Sequence, residues 1–169
     1  MQRHFTRSVL GVFVLLLSLW NTAQADLVAH WQFENNPNDA SGNGLNGVPH
    51  GSATYVADGR IGSALSLSNA SGGAYFSVAN NALLNFGTSS FTIATHFKVN
   101  GAPGYLFGKG SYFYSSSSGI GYAALASITS GGHRFVTYYN EGYGEHKNYC
   151  NHPESMFTDG KWHHYAMVV

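Results

Sequence analysis

The chain has 169 residues, no formal net charge at pH 7, and only 9% charged residues against 15% aromatic residues and 21 glycines. An apolar share of 44% is ample for a core and excludes a disordered chain. No basic run is present, which argues against nucleic acid and anionic membrane surfaces as partners.

Residues 1–25 read as a secretory signal peptide. Arg3 and Arg7 make a positive start, Val9 to Trp20 is an apolar run, and Ala23-Gln24-Ala25 is a small-x-small cleavage pattern before Asp26. The run is shorter than the roughly 20 residues that span a bilayer, with an uncleaved anchor as the alternative. No Cys follows it, which argues against a lipid anchor. The mature chain, 26–169, suits a single domain, secreted or displayed at the cell surface.

Leu27 to Phe33 opens this domain with Leu27, Ala29, Trp31 and Phe33 on one side of an expected strand. Glu34 to Gly47 is a loop of tight turns centred on Asp39-Ala40-Ser41-Gly42-Asn43-Gly44. Short strands are expected at 53–57, 63–68 and 74–78, and one helical turn within 80–86. Ser90 to Val99 is the strongest element. Phe91, Ile93, Thr95, Phe97 and Val99 share one side, and Thr92, Ala94, His96 and Lys98 share the other. A strand with one greasy side needs a second layer to cover it. Further strands are expected at 105–109, 119–127, 133–140 and 161–169, with Glu141 to Asp159 as an irregular loop. Nine or ten strands without useful helical periodicity predict an all-β, two-sheet antiparallel sandwich or jelly roll.

Five segments in order resemble the laminin-G-like, or concanavalin A-like, jelly-roll family. They are Leu27-Val28-Ala29-His30-Trp31-Gln32-Phe33, the Asp39 to Gly44 loop with Gly47, Gly59-Arg60-Ile61-Gly62-Ser63-Ala64-Leu65, Ser90-Phe91-Thr92-Ile93, and Trp162-His163-His164-Tyr165-Ala166. The resemblance implies a concanavalin A-like jelly roll and, in some relatives, calcium. Two departures stand out. His96 occupies a place where the family often carries Trp, and the hairpin that normally follows the Trp-His-His strand is lacking. Together with an ending at Met167-Val168-Val169 inside a strand, the second predicts a C-terminally truncated, partial domain and further domains in the full protein.

Asp39 and Asn43 are the candidate metal ligands. A carboxylate, an amide and backbone carbonyls on a glycine-rich loop suit calcium. The same Asp39 can simply pin the turn by accepting backbone N–H bonds. The single Cys150 is expected to form a disulfide whose partner is absent from this chain. His146, Cys150 and His152 also make a His-x3-Cys-x-His spacing that zinc can use, against the reading of a polar surface loop. Rings that stack on sugar faces are sought on late strands and loops, with His96, Tyr105, Tyr138 and Tyr143 as the ligand-binding candidates. The same residues can equally be core or sheet-surface packing. Trp31 and Trp162 are assigned to the core.

No catalytic residue is assigned. Glycosidases need two carboxyl groups across the scissile bond, and the eight acids show no alternating cluster on a strand. No Gly-x-Ser-x-Gly elbow or zinc-protease helix is present. The expected function is therefore a non-catalytic, secreted binding module for carbohydrate, or for adhesion to a matrix or cell-surface macromolecule. A fragment of a glycoside hydrolase or lyase, and a structural spacer, are the alternatives.

Overall fold

The computed structural model describes residues 26–68, 73–99, 104–110, 121–129, 132–140, 145–152 and 159–169, with backbone alone at 127–129, 132–136, 140 and 145–152. Residues 1–25, over which a signal peptide is expected, lie outside the described residues. The described chain is all-β. Its strands are β1 (Gly47–His50), β2 (Thr54–Val56), β3 (Ala64–Ser66), β4 (Tyr75–Val78), β5 (Thr92–Phe97), β6 (Tyr105–Gly110), β7 (Gly121–Thr129), β8 (Gly132–Asn140), β9 (Glu145–His152) and β10 (His163–Val168). Between β4 and β5 lies one 3-10 turn, Ala82–Leu84, capped by the Asn81 side chain, which accepts from the Leu83 N–H. No helix among the described residues is long and apolar enough to cross a membrane.

All pairing is antiparallel. β1 pairs β4, β2 pairs β3, β5 pairs β10, and β6-β7-β8-β9 form a four-stranded meander. β5 obeys the two-residue period along its length. Phe91 and Phe97 flank an alternation in which Ile93 and Thr95 are half-buried while Thr92, Ala94 and His96 are exposed. Phe91 also exchanges two backbone hydrogen bonds with Val169, which extends the β5/β10 ladder by one pair.

The greasy underside of this ladder meets the meander. Phe97 packs with Ala126, Val99, Leu106 and Tyr165. Phe91 and Met167 pack with Tyr122, Phe86, Ile93, Phe107 and Tyr139. Phe86 stacks on Phe91 at 4.3 Å. Polar tips stay satisfied: the Tyr122 hydroxyl donates to the Leu84 carbonyl at 3.3 Å and that of Tyr139 donates to the Gly87 carbonyl. Two β layers facing each other across this aromatic core make the molecule sandwich-like. Ala123 is fully buried and clusters with Tyr138 on the other side of the meander, so β7 is covered on both faces.

Three segments differ from their expectation. Leu27 to Phe33 is not a ladder strand; it makes one isolated bridge, Trp31 to Asp39. Phe33 and Asn35 take φ of 58° and 57°, which turns the chain out of the extended region. Its carbonyls are served instead by the following turn. The Val28 carbonyl accepts from the Ser41 hydroxyl and Asn43 amide, and the His30 carbonyl accepts from the Ala40 N–H. The alternation survives as packing, with Trp31 and Phe33 edge-on to Phe76 at 6.0 and 5.1 Å.

β1 is a strand where the sequence predicts none: its first residue, Gly47, closes the loop expected over 34–47, and Gly47 and Pro49 disfavour a strand. It forms because β4 offers a partner, and Gly47 is needed there: a Cβ would sit 1.9 Å from the Phe76 ring. β9 replaces the irregular loop expected over 141–159. Its sequence, EHKNYCNH, has little strand character of its own, and pairing with β8 supplies it.

Candidate functional site

Asp39 organises the first turn. One carboxylate oxygen accepts from the backbone N–H groups of His30 and Ser41, both at 2.9 Å. The other accepts from the Ser41 hydroxyl at 2.7 Å and the Leu45 N–H at 3.0 Å. Burial raises the pKa of this carboxyl, but the four donors outweigh it and hold the group at about 2. Asn43 turns its amide N–H groups onto the carbonyls of Leu27 and Val28. Leu45, seated in the core by this turn, accepts from the Trp31 indole at 2.7 Å. Asp39 is thus a turn anchor with both oxygens engaged. Among the described residues, no group of three or more His, Cys, Asp or Glu side chains placed to hold a metal ion is found.

The other carboxylates with hydrogen bonds hold the fold together. Glu34 accepts from the Ser63 N–H at 3.1 and 3.2 Å. Asp58 pairs with Lys98, whose ammonium also lies 5.4 Å from the centre of the Trp162 ring. The Asp159 carboxyl is pulled below its usual range, first by the Lys161 backbone N–H and then by His163. Glu141 and Glu154 lie outside the described residues, and Glu145 begins β9.

Of the four expected ligand-binding residues, the three that are described, His96, Tyr105 and Tyr138, stand on different strands and are not gathered on one surface. His96 is exposed on the outer face of β5, directly opposite His164 of β10. Tyr105 starts β6 on the other layer and is 48% exposed. Tyr138 is buried, only 8% exposed, so its ring offers no face to solvent. Tyr143 lies outside the described residues, as do Tyr112 and Tyr114. Cys150 stands on β9 opposite Phe135, and the spacing of His146, Cys150 and His152 falls on that strand rather than on a loop.

One surface was missed. Tyr75 and His50 are cross-strand partners on β4 and β1, with rings stacked 4.4 Å apart at only 12°. Tyr75 is 55% exposed, neighbouring Val48 is 54% exposed, and His50 Nε2 hydrogen-bonds the Ser77 hydroxyl at 2.8 Å. The signal was in the alternation of 74–78: with Phe76 and Val78 inward, Tyr75 had to face out. Its partner could not be read, because β1 was not seen.

No protein-family model, curated protein or solved structure matches the chain.

Proposed function

We propose that the chain is a secreted, non-catalytic binding module of the laminin-G-like, or concanavalin A-like, jelly-roll kind, whose ligand is an extracellular carbohydrate. The observation that carries this reading is the Tyr75 ring, held parallel to His50 with more than half of its surface open. A flat aromatic face fixed in advance is the surface on which a pyranose ring stacks, and immobilising it beforehand lowers the entropy lost on binding. His50 and Ser77 supply polar edges beside it for sugar hydroxyls. The five sequence segments, the two facing β layers and the leader pattern support the family and the secreted location.

Among the described residues, the carboxylates of Glu34, Asp39, Asp58 and Asp159 are each committed to structural partners, which supports binding over hydrolysis at these four. Asp39 takes the anchoring role. Calcium at Asp39 and Asn43 is read out by the same protein: a calcium-dependent rise in melting temperature would give these residues a metal as well.

The test is retention of the mature chain on a panel of soluble polysaccharides in affinity gels, with a glycan array beside it. Retention by at least one glycan, lost in Tyr75→Ala with the fold intact by circular dichroism, is the expected result. No retention on any glycan would favour a spacer domain. Release of new reducing ends or unsaturated products on incubation would favour a hydrolase or lyase.

A further inference from the structure

The outer face of the β5/β10 ladder carries a pair of imidazoles. His96 and His164 are direct cross-strand partners, both exposed, with ring centres 4.8 Å apart and ring planes at 53°. The residues that alternate with them on this face are Thr92, Ala94, Ala166 and Val168, which bring no carboxylate. Lys98, next along β5, has its charge met by Asp58. From this geometry we propose that His96 and His164 are the protein donors of a surface site for a divalent transition ion of the Cu2+, Ni2+ and Zn2+ class.

Three features carry the assignment. The spacing fits: two imidazoles bound to one ion through nitrogens about 2.0–2.1 Å away, at angles of about 90–110°, hold their ring centres roughly 4.5–5.2 Å apart. The donors fit: imidazole nitrogen suits these borderline ions, while Ca2+ and Mg2+ want oxygen, and Cu2+ binds tightest of the divalent series. The support fits: each histidine sits on a hydrogen-bonded ladder whose underside is fixed by Phe97 and Met167 packing, so the separation of the two backbones is set before an ion arrives. With two protein donors, the other coordination positions stay open to water or to a donor from another molecule.

The adjacent His163 does not belong to this pair. It faces the other way, its ring 5.7 Å from Phe97 and its Nε2 3.1 Å from Asp159 Oδ1. That makes His163→Ala the internal control. The assignment does not rest on the proposed carbohydrate binding, which is argued from Tyr75 and His50 of the β1/β4 pair.

The experiment titrates Cu2+, without a chelating tag or buffer, into the mature chain and follows it by calorimetry and electron paramagnetic resonance. Wild type should bind an ion with the hyperfine pattern of two imidazole nitrogens. His96→Ala and His164→Ala should each lose the same single equivalent, and His163→Ala should keep it. Thermal melts monitored by circular dichroism check that all three variants fold. Ions held elsewhere, for example by His146, Cys150 and His152, persist in every variant and drop out of the difference. Equal stoichiometry in wild type, His96→Ala and His164→Ala would overturn the site, as would loss in only one of the two variants or no Cu2+ bound by wild type.

Discussion

The Asp39 turn and the β5/β10 ladder satisfy their backbones by opposite means. In the turn, side chains do it: Asp39, Ser41, Asn43 and Asn46 accept from or donate to the main chain within a few residues of one another and back to the opening segment. In the ladder the backbone serves itself, through pairing of two segments far apart in the chain, and side chains only have to keep one side apolar. A side-chain-built turn needs a particular residue at each position. A ladder needs a pattern, and tolerates exchange on its outer face. The two regions should therefore fail in different ways, and substitutions at three positions separate them.

The largest effect belongs to the underside of the ladder. Phe91 is in contact with Phe86, Tyr122 and Tyr139, with ring centres 4.3 to 5.6 Å away. Truncation leaves a hole that rings on both layers cannot close. Phe91→Ala is expected to lower stability by about 3–5 kcal/mol in urea denaturation. A loss below about 1 kcal/mol would mean that the two layers do not meet there.

Asp39 comes next, and it adds a pH signature that the ladder lacks. Removing four hydrogen bonds to a carboxylate, part of whose benefit is screened by nearby solvent, makes Asp39→Ala less stable by about 2–3 kcal/mol. Asp39→Asn should lose less, since one oxygen still accepts. The folded carboxyl sits at about 2, below its ordinary value of 3.8. Its contribution is thus fully present above the ordinary value and disappears as pH falls toward 2. Melting temperatures of wild type should drop through this window more steeply than those of Asp39→Ala. Parallel curves would deny Asp39 its anchoring role.

Legibility follows the same division. The Asp39 turn could be read because its chemistry is local: an acceptor and donors two residues on, with Gly42 and Gly44 at positive φ. β5 could be read because a period of two with phenylalanines on one side has few other uses. β9 could not, since EHKNYCNH becomes a strand only when β8 lies beside it, and β1 could not, because Pro49 and Gly47 argue against the pairing that β4 imposes. For the site, exposure of His96 followed from parity alone, whereas burial of Tyr138 depended on what covers the far side of the meander. The facing of His96 by His164 is a matter of register, and register between distant strands is not written in either strand by itself.

His96 gives the smallest effect on stability and the sharpest form of the comparison. It adjoins Phe97 in sequence, yet Phe97 is 8% exposed within the core and His96 stands on the outer face with its ring in solvent beside His164. A change on that face removes few packed atoms and no backbone hydrogen bond. His96→Ala is expected to change unfolding free energy by no more than about 0.5 kcal/mol. If truncation of His96 instead destabilised the chain as Phe91→Ala does, another layer would have to cover the outer face, and the imidazole pair would be interior packing rather than a surface open to ions.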